Sequence, residues 1–521
     1  MAGRPQAAQD DSRDDWGPFD RPLFEDPTAR ALSRVGAIDV GSNSVRLVVF
    51  DGAARSPAYF FNEKIMCALG AGLSETGRLN PEGRARAFSA IRRFQVLARG
   101  MGTQTLTAVA TAAVREAADG LEFCDEVARE TGLRIHVIDG LEEARLSAQG
   151  VLLGWPSAEG IICDIGGSSM ELAEISDGRV GRRVTSPLGP LKLRDVKGGK
   201  KGLKTHIKKV ISELHDQLPG DHGRLFLVGG SWRAIARLDM ARRNYPLTVL
   251  HEYRMTPKSV MATVKWIAEN DLQELRARTG TSDARISLVP QASLVLKELV
   301  RAYRPRDIAV SSYGIREGLL YEQMPERLRR RDPLIEACRF AEAKDARLPG
   351  FGKALFTFLR PLFKSASEDR LRLIRAACLL HDVTWRAHPD YRAEVCFDNA
   401  TRANLGGLRH RERVFLGLSL LHRYKNGRAG SRFAPLFELL SEREIRDAEV
   451  LGKAMRFGAM FSVEAPGEMG ALRFYPKKKR LELVLQPEAV PLFGEVAEAR
   501  FASLAQALDA ETRVRTARNG R

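Results

Sequence analysis

The sequence has no long uncharged apolar run, and this absence argues against a membrane-spanning segment. Its first thirty residues carry acids among proline and arginine and contain no apolar core typical of a signal peptide. Cysteine is scarce, with six in 521 residues and no C-x-x-C pair, so neither a disulfide framework nor a zinc site of paired cysteines is expected. We therefore expect a cytoplasmic protein without a membrane span, whose cysteines are small buried residues in a reducing compartment.

Positive charge, by contrast, is in excess. Lys and Arg number 82 and Asp and Glu 65, which gives a net charge of +17. Such a balance suits a polyanionic partner, although an arginine-rich proteome would produce the same excess. The densest basic segment, 192–209, has no interleaved aromatic residues, which argues against nucleic-acid binding. It is either a solvated face or a track for a long polyanion, with point charges at Lys197, Lys200, Lys201 and Lys204.

One short motif occurs twice. "AIDVGSNSVRLVVFD" (37–51) sets Asp39 before a turn of Gly, Ser and Asn between two strand-like runs, and taken alone it predicts only a hairpin. "ICDIGGSSMELAEISDG" (162–178) repeats the pattern D-[VI]-G-x-x-S-x-x-L, with Asp164 in the place of Asp39. Glu171 then corresponds to Arg46, so one hairpin is acidic where the other is basic. Two copies in register favour a duplicated α/β domain over a chance turn.

Two such hairpins facing one cleft would suit a phosphate chain and a metal ion. A Gly-rich turn can direct backbone N–H groups at an oxyanion while the preceding carboxylate binds a cation. A third glycine turn, in "FLVGGSWRAIARLDM", places a helix N-terminus after a strand and could add donors. The predicted phosphate-binding residues are Ser42, Asn43, Ser44, Gly166, Gly167, Ser168, Ser169, Gly229 and Gly230.

Six ordered motifs between residues 36 and 320 carry a resemblance to a known family. They are "AIDVGSNSVRL", "AVATAAVREA", "DGLEEARLSAQGV", "CDIGGSSMEL", "LVGGSWRAIA" and "SSYGIREGLL". Together they resemble the exopolyphosphatase and guanosine pentaphosphate phosphohydrolase family, within the acetate and sugar kinase, Hsp70 and actin superfamily. The C-terminal part resembles, more loosely, the helical HD-like domain of the longer members.

The resemblance implies roles that spacing alone does not give. Glu142 and Glu143 both lie in the first turn of a predicted helix, where acids are common for electrostatic reasons. The family's catalytic glutamate falls on the second of them, so Glu143 is the expected base. The family also supports Asp39, Asp164 and Glu171 as ligands of Mg²⁺ or another hard divalent cation, with Glu171 binding metal or orienting water. Arg115 is expected to hold a phosphate oxygen bidentately.

The expected fold is α/β, with two duplicated ribonuclease H-like (actin-like ATPase) domains facing a cleft, a mainly helical HD-like region and a small α+β end. Strands are predicted near 35–62 and 104–110, and helices near 81–99 and 119–131. The predicted divisions are a flexible tail at 1–32, α/β domains at 33–150 and 151–325, a helical domain at 333–445 and a small α+β domain at 446–521.

The HD-like region contains the pair His381-Asp382 but has no histidine between His251 and His381 to complete a metal site of that type. We interpret it as a structural or binding remnant. It could bind polyphosphate, a nucleotide alarmone or a partner subunit, and a second metal centre is the less favoured alternative.

The resulting hypothesis is a metal-dependent exopolyphosphatase that releases the terminal phosphate of inorganic polyphosphate processively and forms a homodimer. Its catalytic set is Glu143, Asp164, Glu171 and Asp39. A guanosine pentaphosphate (pppGpp) 5′-phosphohydrolase, with pppGpp or ppGpp as ligand, is the alternative in the same class. A weakly catalytic regulator that binds polyphosphate or an alarmone is the alternative of another class, and an actin-like kinase or ATPase is a third.

Overall fold

The computed structural model describes residues 31–220 and 222–517. Residues 1–30 of the predicted tail lie outside this part, and residues 31 and 32 already belong to the first strand. No helix in the described ranges is long and apolar enough to cross a membrane. The first α/β part contains β1 (Ala31–Val40), β2 (Ser44–Ala53), β3 (Ser56–Met66), α1 (Leu73–Thr76), α2 (Pro81–Gly100), β4 (Thr105–Ala110), α3 (Ala112–Glu116), α4 (Gly120–Thr131) and β5 (Ile135–Val137).

These elements confirm the strands and helices predicted for this region. Asn80 caps α2 by accepting a hydrogen bond from the Gly83 backbone N–H, and proline occupies the first helical position. The strand order is β3-β2-β1-β4-β5, with antiparallel pairing from β3 to β1 and parallel pairing from β1 to β5. The strands β1 and β2 are therefore interior strands of the sheet. The turn between them lies at the carboxyl-terminal end of β1, on the side of the sheet where the parallel strands β4 and β5 also end.

The second α/β part begins with a helix and repeats this arrangement. It contains α5 (Gly140–Gly154), β6 (Gly160–Ile165), β7 (Met170–Ser176), β8 (Arg179–Ser186), α6 (Gly199–Gln217), β9 (Arg224–Gly229), α7 (Gly230–Arg242), β10 (Arg254–Met255), α8 (Pro257–Glu269), α9 (Leu272–Thr279), α10 (Asp283–Ile286), α11 (Val289–Tyr303), β11 (Asp307–Val310), α12 (Ile315–Glu322) and α13 (Glu326–Arg329).

The second sheet has the order β10-β11-β9-β6-β7-β8, and its β6–β7–β8 meander matches β1–β2–β3. As in the first sheet, the first strand of the meander pairs in parallel with the next strand after a crossover, here β9. The duplication predicted from the two sequence motifs is thus a duplication of sheet topology.

Helices α5 and α12 pack together between the two sheets. The core that they form includes Leu146 and Leu320 of the helices, Val48 of the first sheet and Phe226 of the second. The helices approach so closely that a Cβ on Gly318 would lie 1.8 Å from the Leu146 carbonyl oxygen, so this contact requires glycine. This shared core fixes the two sheets, and therefore their hairpin turns, relative to each other.

The remaining region, residues 333–517, is mainly helical with a small sheet, and we call it the HD-like region. It contains α14 (Pro333–Asp345), α15 (Phe351–Leu359), α16 (Glu368–Leu380), α17 (Arg392–Arg402), α18 (His410–Tyr424), α19 (Ala434–Phe437), α20 (Glu442–Phe461), α21 (Pro466–Met469), β12 (Gly470–Tyr475), β13 (Arg480–Leu485), α22 (Glu495–Ala507) and β14 (Glu511–Thr516). The sheet order is β12-β13-β14.

Two predicted domain boundaries fall inside helices. The boundary at 150/151 lies within α5, and the boundary at 445/446 lies within α20. A single hydrophobic core runs from Leu334 through Phe457 to Leu504 and joins the helices to the small sheet. The small α+β end is therefore part of the core of the HD-like region, because α20 contributes to both.

A buried histidine pair joins the HD-like region to the second α/β part. The Nε2 atom of His410 lies 3.1 Å from the His251 carbonyl oxygen, and its Nδ1 lies 3.0 Å from the Tyr245 hydroxyl. Burial lowers the pKa of His410 to about 4, so the ring is neutral at neutral pH.

Candidate active site

The turns of the two hairpins meet across a cleft. In each turn a glycine N–H donates to a serine carbonyl three residues on, from Gly41 to Ser44 and from Gly166 to Ser169, both at 3.0 Å. The Ser168 hydroxyl lies 3.0 Å from the Ser42 hydroxyl and connects the two turns directly. The cleft is lined by all the predicted donors of both turns: Ser42, Asn43, Ser44, Gly166, Gly167, Ser168 and Ser169.

The strand register sets a carboxylate beside an arginine in one hairpin and two carboxylates beside each other in the other hairpin. Asp39 is opposite Arg46 in β1–β2, and Asp164 is opposite Glu171 in β6–β7. Arg46 and Glu171, which the sequence repeat aligned, therefore occupy equivalent positions in the two hairpins.

The two adjacent glutamates of α5 have different surroundings. Asp139 caps the helix by accepting from the Glu142 N–H at 2.7 Å, and the Glu142 side chain is bonded by Arg145. Glu143 lines the cleft, is 5 % exposed and has a buried Oε2 without a hydrogen-bond donor. Burial, and then the neighbouring charges of Glu171 and Asp164, raises the pKa of Glu143 well above its ordinary value.

Asp164 and Glu171 are buried next to Glu143. The Ser147 hydroxyl donates to Asp164, and the Thr185 hydroxyl donates to Glu171 Oε1 at 3.2 Å. Glu171 Oε2 is buried without a donor. Burial raises the pKa of both carboxyl groups, since a charged group loses hydration there. Glu143, Asp164 and Glu171 are thus three neighbouring buried carboxyl groups, of which Glu143 and Asp164 line the cleft.

The three predicted metal ligands, Asp39, Asp164 and Glu171, do not form a complete metal site by themselves in the described part of the chain. Within residues 31–220 and 222–517, no three His, Cys, Asp or Glu side chains are grouped so as to hold a metal ion, so the predicted set is not a preassembled three-carboxylate site. Asp39 and Asp164 line the cleft, whereas Glu171 lies beside Asp164 on the adjacent strand and does not line it. Two carboxylates completed by phosphate oxygens and water are a usual environment for Mg²⁺, and the residues present fit it.

The third glycine turn also reaches the cleft. Gly229 and Gly230 line it, at the junction of β9 and α7. Gly229 has φ +116°, and a Cβ there would lie 2.5 Å from the Ile165 carbonyl oxygen. Glycine at this position lets the α7 N-terminus approach the strand that carries Asp164.

The cleft is also lined by basic side chains for which the sequence predicted no role, and we call them the cation wall. Arg316 is buried and has an unbonded Nη1, and burial lowers the pKa of Arg233 and of Arg46 to about 10. In the part of the chain that the structure describes, none of the wall cations forms an ion pair within 4.0 Å. They come from five separate elements and are Arg46, Lys64, Arg233, Arg285 and Arg316.

Two predicted phosphate contacts lie elsewhere. Arg115 does not line the cleft, since its guanidinium donates to the Ile138 carbonyl at 2.7 Å and lies 3.6 Å from Glu143 Oε2. The predicted lysine track is exposed outside the cleft, with three of its four residues on α6: Lys197, Lys200, Lys201 and Lys204. Lys192 and Arg194 line a cavity of about 590 Å³ that adjoins the cleft instead.

The chain matches models of known protein families. The model of the Ppx/GppA phosphatase family matches residues 48–327, more than half of the chain. The model described as "Exopolyphosphatase, C-terminal" matches residues 356–513. The two matches together cover most of the α/β parts and most of the HD-like region.

Individual relatives agree with these matches. Exopolyphosphatase 1 of Mycobacterium leprae is 27% identical over 311 residues, which are 56% of this chain and 89% of that protein. Retrograde regulation protein 2 of Saccharomyces cerevisiae is 24% identical over 435 residues, 75% of this chain and 72% of that protein. The crystal structure of an exopolyphosphatase from Cytophaga hutchinsonii is 22% identical, covers 56% of this chain and 98% of its own, and has a TM-score of 0.51. The predicted fold class is confirmed.

Proposed function

Because the chain belongs to the Ppx/GppA phosphatase family, we propose that it is an exopolyphosphatase that hydrolyses the terminal phosphoanhydride of inorganic polyphosphate and releases orthophosphate processively. The observation that carries this proposal is that buried carboxyl groups and the cation wall, whose members form no ion pair within 4.0 Å among the described residues, line the same cleft. A chain of phosphates supplies negative charge along the wall and a reactive phosphorus near the acids. The name exopolyphosphatase, carried by the Mycobacterium leprae relative and by the Cytophaga hutchinsonii structure, supports the same substrate.

Glu143 is the proposed base. Hydrolysis needs a water molecule to attack the terminal phosphorus, a group to accept its proton, and departure of the bridging oxygen with the shortened chain. An effective base at neutral pH has a higher proton affinity than an ordinary glutamate, and the burial of Glu143 beside Glu171 and Asp164 provides it. Arg115, 3.6 Å from Glu143 Oε2, is a positioning residue for that carboxyl group.

Asp39 and Asp164 are the proposed ligands of Mg²⁺ or a similar hard cation, with Glu171 supporting Asp164 from the next strand. A bound cation of this kind would neutralise charge on the phosphate oxygens. The chain's own part is to bind and orient the substrate. Donors from the turns at 41–44 and 166–169, and from the α7 N-terminus, can hold the terminal phosphate.

The cation wall is proposed to bind the following phosphates in place of the lysine track predicted from sequence. Arginine forks match phosphate oxygens in pairs, and these guanidiniums have no acidic partner that would compete. A guanosine pentaphosphate would offer the same terminal anhydride to the same cleft, so the experiment compares both substrates.

The test is phosphate release from long-chain polyphosphate and from guanosine pentaphosphate by the wild type, Glu143→Gln and the matched control Glu142→Gln. Loss of a general base lowers the rate about 10²- to 10⁴-fold, and we expect this for Glu143→Gln with polyphosphate binding retained. Glu142 lies outside the cleft, so its variant should release phosphate like the wild type. Near-normal turnover by Glu143→Gln would remove this residue from the base role. A much higher kcat/KM for pentaphosphate would overturn the polyphosphate assignment.

A further inference from the structure

The HD-like region contains a cavity of about 560 Å³ around His381 and Asp382. The His381 Nδ1 lies 2.8 Å from the Cys378 carbonyl oxygen, and Asp382 forms a bidentate pair with Arg347 at 2.8 and 2.6 Å. No metal-binding group of three ligands occurs here or elsewhere in the described ranges. The two residues are therefore engaged in structural contacts, and the cavity lacks the ligand set of a metal-dependent hydrolase.

One buried arginine of this cavity lacks a partner. Arg423 is 7 % exposed and lines the cavity, and its Nε is buried without an acceptor. No acidic side chain in the described chain lies within ion-pair distance of it, since the nearby Asp382 is held by Arg347. The guanidinium lies 4.8 Å from the centre of the Tyr424 ring, which orients the group but does not neutralise it. A buried charge without a partner is costly, so a charged ligand is the natural complement.

Further charges make the cavity basic. Among the described residues, Arg392 donates hydrogen bonds only to backbone carbonyl oxygens, those of Trp385 and Ala387, and its Nε is buried without an acceptor. Arg456 bonds the side chain of Asn426, which is neutral. Burial lowers the pKa of His381 to about 4, so the histidine adds no charge at neutral pH. The lining of the cavity thus contains four arginines and a single carboxylate, that of Asp382.

The rim of the same cavity is apolar and open to solvent. Leu348, Met460 and Val463 are 48 %, 44 % and 63 % exposed, although each is a large hydrophobic side chain. Exposed apolar residues gathered beside convergent polar groups are typical of a small-molecule site. The anionic part of a ligand would contact the arginines, and an apolar part would cover the rim.

We propose that this cavity binds a small phosphate-bearing molecule with a flat apolar part, of the nucleotide class, and that Arg423 is its principal phosphate contact. Guanidinium groups bind phosphate through paired hydrogen bonds, and a nucleobase matches the area of the apolar rim. This site is separate from the cleft between the α/β parts, and its existence does not depend on the substrate proposed for that cleft.

The test is calorimetric titration of the full chain with ADP, GDP, tripolyphosphate and adenosine. Two variants address the cavity. Arg423→Leu removes the phosphate contact, and Met460→Glu adds a negative charge at the exposed rim without altering the core. The matched control is Arg443→Leu, which removes an exposed arginine from the same helix as Arg456. Arg233→Leu removes a cation from the cleft and identifies binding there.

A charge-assisted hydrogen bond accounts for about 10- to 100-fold in affinity, so Arg423→Leu and Met460→Glu should weaken nucleotide binding by that factor. Arg443→Leu and Arg233→Leu should leave it within about twofold. Absence of ADP and GDP binding would refute the proposal, as would binding that only Arg233→Leu weakens. Tripolyphosphate binding that Arg423→Leu weakens and Arg233→Leu does not, with an affinity equal to that of ADP, would refute the apolar half of the site.

Discussion

Removal of the Asp239 carboxylate should destabilise the second α/β part strongly. Asp239 lies on α7 with no exposed surface and accepts hydrogen bonds from Tyr253 and Ser259 at 2.6 Å and from Thr263 at 2.5 Å. Arg242 adds a fourth bond at 2.9 Å. The network joins α7 to α8 and to the chain before β10. It therefore fixes the helix whose first turn lines the cleft.

The expected cost follows from what Asp239→Ala leaves behind. Two buried hydroxyl groups and one partly buried hydroxyl group lose their acceptor, and the guanidiniums of Arg242 and Arg243 lose their counter-charge. Breaking a buried charged network by removing one member costs about 3–5 kcal/mol. Asp239→Asn keeps one acceptor oxygen and should cost less, about 1–3 kcal/mol. Asp216→Asn, at an exposed position on α6, is the matched control.

Urea unfolding measures these losses, followed by the tryptophan fluorescence of the chain, to which the buried Trp232 on α7 contributes. Burial raises the pKa of Asp239, but the hydrogen bonds from Ser259, Thr263 and Tyr253 outweigh it and leave the pKa below its usual range. The stabilisation is therefore present at neutral pH and is lost as pH falls below about 3.9. A loss under about 1 kcal/mol for Asp239→Ala at pH 7 would contradict the reasoning.

Two further predictions concern the cleft and the joint between regions. Gly229→Ala would place a Cβ 2.5 Å from the Ile165 carbonyl oxygen, so this variant should release phosphate more slowly and lose about 1–3 kcal/mol of stability. Gly230→Ala should have a milder effect, because only arginine atoms lie near its Cβ, at 3.6 Å or more. Equal effects of the two variants would contradict this reasoning. Because the pKa of His410 is lowered in the folded chain, the unfolded chain gains a proton at this residue between about pH 6.5 and 4, whereas the folded chain does not. The stability of the wild type should therefore fall as the pH decreases over that range, and the stability of His410→Gln should fall less. Denaturant midpoints at pH 5 and 7.5 would measure this difference.

The sequence predicted what is encoded locally. The two hairpin motifs could be aligned because each is one continuous segment, and the alternation of strand residues placed Arg46 and Glu171 at equivalent positions. The boundaries at 150/151 and 445/446 were misplaced because α5 and α20 each contribute to structure on both sides of them. A change of sequence character does not mark the end of a helix.

The cation wall was missed for a different reason. Its members come from β2, β3, α7, α10 and α12, and only tertiary packing brings these elements together. Arg46, Arg233 and Arg316 lay within the quoted motifs, which was a usable signal, whereas Arg285 had none. The lysine segment, in contrast, was conspicuous by charge density, but most of its side chains lie on α6 and face solvent. Similarly, only the family resemblance separated Glu143 from Glu142, because both occupy the same helical turn.

The unlike charges at equivalent hairpin positions give the cleft a direction. A linear polymer of identical units has no preferred orientation in a symmetric groove, since either end could occupy either half. Here the two hairpins differ, because the first carries Asp39 beside Arg46 and the second carries Asp164 beside Glu171. Under the proposed function, the end of a polymer would lie beside the paired carboxyl groups of the second hairpin, and its length would extend towards Arg46. The divergence of this one residue pair between the two hairpins would then favour attack at chain ends over attack within the chain.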